Sequence, residues 1–302
     1  TGCVASICVI FLMLDRVMGA DRPAIKGAGV MQVRDLGELD GPLLIFGGPY
    51  SNLHAMQALI VEAERRGIAP ERMICTGDVV AYCAQPAETV AVIRELGCAV
   101  VAGNCERQLA ARSGDCGCGF EAGTLCDRLS AGWYTQADAA ISDDARDWMA
   151  ALPDMITFTH DGRRHAVIHG GTRDISRFLW PVSHDDEFIE KIDYIQSFVG
   201  DISCVLAGHC GLAFIRRIGP VDWVNAGAVG MPPNDGRSET AFATLEAGRA
   251  TPHRLHYDYE GAKAAMRAAG LTQGYHTALG AGYWPSEEVL PPALRRAAVA
   301  SG

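Results

Sequence analysis

Positive charge is scarce in this chain. Its 302 residues carry 26 Lys and Arg against 36 Asp and Glu, a net charge of −10. A basic surface of the kind that gathers nucleic acid is therefore not expected. Paired Cys-x-x-Cys units, the strong zinc signature, are absent. So is an apolar run long enough to span a membrane. Val4 to Leu14 is almost wholly apolar but falls short of the roughly 20 residues a span needs. Its length suits a signal h-region, yet no basic residue precedes it. It reads either as translated upstream sequence before a start at Met18 or Met31, or as a genuine anchor or core segment. There is no internal repeat and no low-complexity tract. The 11 cysteines are an odd number in a long chain, unlike the even counts of short secreted disulfide frameworks. A reducing, cytoplasmic setting with free or metal-bound thiols is expected, without a membrane partner.

What the chain does have is apolar content, 49% of residues, enough for one large domain or two small ones. Leu43 to Phe46 reads as a buried strand. Leu53, Met56, Leu59 and Ile60 have helical spacing within Asn52 to Arg66, and Gly67 ends that helix. Arg72 to Cys75 is a strand, Pro86 opens a helix to Leu96, and Ala99 to Ala102 is a third strand. Strand–helix–strand–helix–strand implies right-handed crossovers and parallel pairing. Helical pieces then surround a Gly/Cys-rich loop, Gly114 to Gly119. Thr157–His160 and Arg164–Ile168 form a hairpin across Asp161-Gly162. Short strands follow at Cys204–Ala207, Phe214–Ile218, Val221–Val224 and Thr240–Glu246. Tyr259 to Ala269 reads as a last helix. The fold class expected is α/β, of α+β-like character: a two-layer sandwich of mixed β-sheets flanked by helices. Its domain would run over 42–269, between an N-terminal extension, 1–41, and a C-terminal tail, 270–302.

Four short motifs carry the chemistry: Gly77-Asp78, Gly103-Asn104, Ile168-His169-Gly170 and Gly208-His209. Each follows an apolar run. Strands that stop at one sheet edge deliver distant residues to one point, and ligands gather at their carboxyl ends. Asp78, Asn104, His169 and His209 would make a mixed oxygen and nitrogen site for a divalent metal such as Mn, Fe or Zn.

The series resembles the calcineurin-like metallophosphoesterase superfamily, in particular its small bacterial phosphodiesterase-type members. The resemblance runs from about Leu43 to His256. Its stretches are Leu44 to Leu53 (LIFGGPYSNL), Gly77 to Pro86 (GDVVAYCAQP), Gly103 to Glu106 (GNCE), His169 to Gly171 (HGG), Gly208 to Gly211 (GHCG) and Val224 to Gly230 (VNAGAVG). The resemblance implies two metals about 3.5–4 Å apart. One would take Asp78, Asn104, His169 and His209, all present. The other would take an Asp-x-His pair, the bridging Asp and the last His of Gly-His-x-His. Those positions hold Gly48, Tyr50 and Gly211, so three of the four ligands are missing. The catalytic His of the family is Cys105. One ion is expected, with a second only through unusual ligands such as cysteine.

The thiols read in two ways. Cys75, Cys98 and Cys204 fit the apolar core. Cys105 falls in the site, and Cys83 and Cys210 are balanced between site and core. Cys116, Cys118 and Cys126 could bind a metal or pair in a redox reaction. Tyr50 is either an anion donor or a filler of the lost His position. Asn52 suits a helix cap. Glu106 is either a general acid/base or a first-turn residue favoured by the helix dipole. Arg173 could clamp phosphate. His54, His165, His184 and His276 carry no motif. Three functions follow: a hydrolase of small-molecule phosphate esters, a non-hydrolytic metal or ligand-binding protein, and a thiol-dependent enzyme using Cys105 beside iron or zinc.

Overall fold

A computed structural model describes residues 31–296. The apolar run from Val4 to Leu14 lies outside them. In chain order the elements are β1 (Val33–Glu38), β2 (Leu43–Phe46), α1 (Leu53–Arg65), β3 (Met73–Cys75), α2 (Pro86–Leu96), β4 (Ala99–Val100), α3 (Asn104–Ala110), α4 (Leu125–Ala140) and α5 (Asp143–Ala150). There follow β5 (Met155–His160), β6 (Arg163–Val167), α6 (Asp185–Val199), β7 (Cys204–Ala207), β8 (Ala213–Ile218), β9 (Val221–Ala226), β10 (Thr240–Glu246), β11 (Arg249–Leu255), α7 (Tyr259–Ala268) and α8 (Tyr275–Ala281).

The strands form two mixed sheets, a six-stranded one in the order β1-β5-β6-β7-β9-β8 and a five-stranded one in the order β11-β10-β2-β3-β4. Leu43, Ile45, Ile74, Ile156, Phe158, Val167, Leu206, Val224 and Leu245 pack together between the layers. Helices α1, α2, α4, α5 and α7 contribute to a second apolar cluster that also takes in Phe46, Cys75 and Phe242. β2, β3 and β4 are parallel, as are β6, β7 and β9. The loops after β3, β4, β6 and β7 carry the four motif residues to a common edge, as described below.

Local signals explain the ends. Asn52 caps α1 by accepting from the Ala55 amide at 3.1 Å, satisfying one of the helix's orphan donors. Pro86 opens α2, and Gly97 closes it in the left-handed conformation at φ 70°. All four side chains of β2 are buried, as a central parallel strand requires.

Several boundaries differ from the sequence reading. β1 falls inside the stretch 1–41 assigned to an extension, but it pairs in parallel with β5. Its side chains are nearly all exposed, so no apolar alternation marked it. The stretch 270–302 assigned to a tail contains α8 and buries Ala278, Leu279 and Leu290. β11 was missed because its sequence, RATPHRL, is largely polar and exposed. α6 was missed although Phe188, Ile192 and Ile195 are buried at helical spacing.

One core residue makes the fold acid-sensitive. His165 stacks on Phe158 at 4.9 Å, and neither ring nitrogen has a hydrogen-bond partner. Burial, helped by His160, pushes its pKa down from 6.5 to about 4. As pH falls through 6.5 towards 4 the unfolded chain takes up the proton first, so stability is lost in that window, by up to about 3 kcal/mol. His165→Phe is expected to lose this component. Urea midpoints at pH 7.5 and 5.0 should lie closer together in the variant than in the wild type.

Candidate metal centre

Asp78, His169 and His209 are buried and present ligand atoms within 4.8 Å of one another. Asp78 Oδ2 is 3.2 Å from His169 Nε2 and 3.9 Å from His209 Nδ1. Asn104 Oδ1 is 3.1 Å from the same His169 Nε2. The four residues predicted from the motifs therefore meet at one point.

Their protons are fixed by the surrounding backbone. His169 Nδ1–H donates to the Thr76 carbonyl at 2.6 Å. His209 Nε2–H donates to the Ser176 carbonyl at 2.8 Å. Each ring thus spends its proton on a carbonyl and turns an unprotonated nitrogen inward. Those two nitrogens face each other at 3.0 Å. Asn104 is oriented the same way: its Nδ2 donates to the Cys116 carbonyl at 2.9 Å, which turns Oδ1 towards the imidazoles. Two nitrogen lone pairs, an amide oxygen and a carboxylate oxygen converge with no donor among them. Such an acceptor-only cluster fits a cation, and its mixed oxygen and nitrogen donors suit Mn, Fe or Zn.

Electrostatics agree. Although burial opposes ionisation, the neighbouring imidazoles hold the Asp78 carboxyl well below the usual range. Burial works against a charge on His169 too, yet Asp78 raises its pKa. His209 goes the other way, lowered chiefly by burial and also by His169. The cluster accommodates positive charge at its centre.

Glu106 is a brace, and burial, then the Asp78 charge, pushes its carboxyl up to about 7. It is fully buried. Its carboxylate accepts from the amides of Asp78 at 2.8 Å, Val79 at 2.9 Å and Gly103 at 2.8 Å. One side chain therefore ties the Asp78 loop to the Asn104 loop. Asp78 and His209 both sit at positive φ, 55° and 62°, a strained conformation that persists because surrounding contacts over-determine it.

The positions where the resemblance leaves ligands unmatched lie around one ring. A Cβ on Gly48 would overlap the Tyr50 ring, with Cε2 only 2.7 Å away, and a Cβ on Gly211 would lie 3.9 Å from the Tyr50 hydroxyl and 3.5 Å from Trp284. The Tyr50 ring thus reaches from one lost position to the other. Tyr50 is 5% exposed, and burial first, then Asp78, raises its pKa well above the usual value, so the phenol stays neutral.

The other candidates fall away from the ligand cluster or sit behind it. Arg173 is exposed and lies over the Tyr194 ring at 4.7 Å, outside the cluster. Cys105 is adjacent, 3.5 Å from Asn104 Nδ2, but it is buried and does not line the neighbouring cavity. Burial, with Asp78 and Glu106, pushes its thiol well up, away from the thiolate. Cys116 and Cys118 form a disulfide with each other, the pairing alternative for these cysteines rather than metal ligation. Cys118 Sγ lies 3.5 Å from Asn104 Nδ2. Cys83 makes a 3.8 Å contact to the Gly230 carbonyl. Cys210 receives a hydrogen bond from Asn225 at 3.2 Å. Asn52, besides capping α1, donates to the Gly230 carbonyl at 3.0 Å. The sequence reading passed over Phe178, which stacks on His209 at 4.2 Å, and the aromatic chain from Tyr50 to Tyr82 (4.8 Å) to Tyr275 (4.6 Å). No motif marks these residues.

Comparison with known proteins is consistent with this geometry. A model described as the calcineurin-like phosphoesterase superfamily domain matches residues 48–248. The chain belongs to this family. An uncharacterised protein of Methanocaldococcus jannaschii is 27% identical over 169 residues, which make up 55% of this chain and 61% of that protein. Among solved structures, a metallophosphoesterase from Sphaerobacter thermophilus superposes with a TM-score of 0.60 at 23% identity, covering 81% of this chain and 100% of that one. A hypothetical protein from Pyrococcus horikoshii does so with a TM-score of 0.65 at 14% identity, covering 81% and 99%. At those identities the two structures speak for the fold. In this member of the calcineurin-like family the candidate ligands Asp78, Asn104, His169 and His209 stand together.

Two substitutions test the geometry. A Cβ on Gly103 would lie 2.5 Å from the Asp78 amide nitrogen and 2.8 Å from Glu106 Oε2. Gly103→Ala is expected to displace both and weaken metal binding by about 10- to 100-fold, read by calorimetric titration of Mn²⁺ into the metal-stripped protein. Gly48→Asp should destabilise by about 2–4 kcal/mol through overlap and through its φ of 48°. Adding Tyr50→His should recover the overlap component in a denaturant titration.

Proposed function

We propose that the chain is a metal-dependent phosphoesterase that works with one divalent cation held by Asp78, Asn104, His169 and His209. The observation that carries this reading is the acceptor-only cluster: two unprotonated imidazole nitrogens 3.0 Å apart beside a carboxylate and an amide oxygen. A cation there would polarise a phosphoryl oxygen and activate water for attack.

The chain's own residues set the rest. Thr76 and Ser176 hold the imidazoles in the ligating tautomer. Glu106 keeps the Asp78 and Asn104 loops in register. Tyr50 lies next to His209, and its neutral phenol can donate a hydrogen bond to a phosphoryl oxygen held at the cluster. No Lys or Arg lines that cavity among the described residues, so the charge of the lost second ion is not replaced. Turnover of a plain diester should accordingly be modest. The substrate is a small phosphate ester, in keeping with the small cavity and the acidic chain.

Metal analysis of protein purified without chelators should give one equivalent per chain; two equivalents would sink the single-cation reading. Bis-p-nitrophenyl phosphate should be turned over with Mn, Fe or Zn, and Asp78→Ala should abolish this. Absence of turnover with every metal would favour the non-hydrolytic alternative. Cys105→Ser should stay close to wild type. A loss of about 100-fold, the scale of a missing general acid, would instead assign the chemistry to the thiol.

A further inference from the structure

Where a second metal would sit in the family's pattern, this chain has built an aromatic cavity. It measures about 50 Å³ and lies between Tyr50, Tyr82, Phe120, Phe178, Tyr275 and Trp284, with His209 and Cys210 also lining it. Phe120 comes from the Cys-rich loop, while Tyr275 and Trp284 come from the C-terminal segment. Those segments lie far apart in sequence, and none belongs to the ligand motifs. They converge on the cavity beside His209.

Charge and size restrict what enters. The lining has no cationic side chain, and Asp78 and Glu106 lie close to Tyr50, so an anionic phosphoryl group is disfavoured inside the cavity. A water-sized sphere takes roughly 10–15 Å³ of such a volume, so about four non-hydrogen atoms fit. A benzene-sized ring needs nearer 150 Å³. Polar partners are few. Among the described residues the hydroxyls of Tyr50, Tyr82 and Tyr275 make no side-chain hydrogen bond, whereas Tyr134 donates to the Ser113 carbonyl at 2.9 Å. Those phenols, with Ser286 and His209, are the polar groups on walls that are otherwise apolar.

We infer that this cavity is a subsite for a compact apolar organic group of the ester, a short alkyl chain of about three or four non-hydrogen atoms. The inference rests on the phosphoesterase reading for the position of the phosphoryl end. Tyr50 and His209 belong to both places, so an ester with its phosphoryl group at the cluster can lay its alkyl group along the Tyr50 ring. The three lost ligands are then an exchange of one ion for a specificity pocket.

Titration of metal-loaded protein with methyl-, ethyl-, propyl-, butyl- and benzylphosphonate, followed by tryptophan fluorescence, tests this. Affinity should rise about three- to fourfold per methylene up to propyl or butyl, the gain expected for each buried methylene, and fall at benzyl. Phe120→Ala should move the optimum to benzyl. Val289→Ala, which also enlarges the cavity, gives a second reading if the first variant folds poorly. An affinity independent of chain length, or an optimum unmoved in both variants, overturns the subsite and leaves the phosphoesterase reading intact. Metal-free protein should also show shifted aromatic proton resonances with 1-propanol. If no phosphonate binds, methyl included, while 1-propanol still shifts those resonances, the alkyl pocket stands and the phosphoesterase reading falls. If 1-propanol shifts nothing, the pocket falls.

Discussion

The carbonyl oxygens of Thr76 and Ser176 determine which nitrogen of each imidazole carries a proton, and the rest of the centre depends on that choice. With the protons spent on backbone, His169 and His209 turn lone pairs towards each other across 3.0 Å. Were either ring to flip, that nitrogen would bring a hydrogen into the cluster and the cation's place would close. The two carbonyls do not belong to the motif residues. One sits at the end of β3 and the other in the loop after β6, so the centre is held by backbone shape as much as by ligand identity. Glu106 supplies the same kind of control from the other side. Its carboxylate gathers amides from two loops and keeps Asp78 at a positive φ that a free chain would leave.

Tyr50 lies between two of the positions where the resemblance leaves a ligand unmatched. Its ring fills the volume that a side chain at position 48 would need, and its hydroxyl reaches towards position 211. Glycine at position 48 is a steric consequence of this aromatic residue, whereas a Cβ at position 211 would stand at ordinary contact distance and glycine there suits its φ of 73°. The Tyr50–Tyr82–Tyr275 stack extends this replacement out to α8, so the C-terminal segment takes part in shaping the site.

The motif residues and the sandwich were legible because each rests on a local rule. Apolar runs ending in Gly-Asp, Gly-Asn, His-Gly and Gly-His marked strand ends, and Asn52, Gly67 and Pro86 marked helix ends. What escaped had no local signature. β1 and β11 are stabilised by pairing partners rather than by an apolar face of their own. Arg173 follows a ligand loop in sequence, yet its side chain turns outward onto Tyr194. Glu106 reads as an ordinary first-turn acid until its backbone amide partners are seen. The aromatic wall draws on residues from Tyr50 to Trp284, a spacing no motif can express.

The ligand cluster joins the two sheets of the sandwich. Asp78 and Asn104 leave β3 and β4 of one layer; His169 and His209 leave β6 and β7 of the other. His169 and the carbonyl that fixes its proton are 93 residues apart. Such contacts form late, after the loop-closure entropy of the intervening chain has been overcome. A cation at this cluster would therefore find its ligands together only in a chain whose layers have closed, and its occupancy would report completed folding.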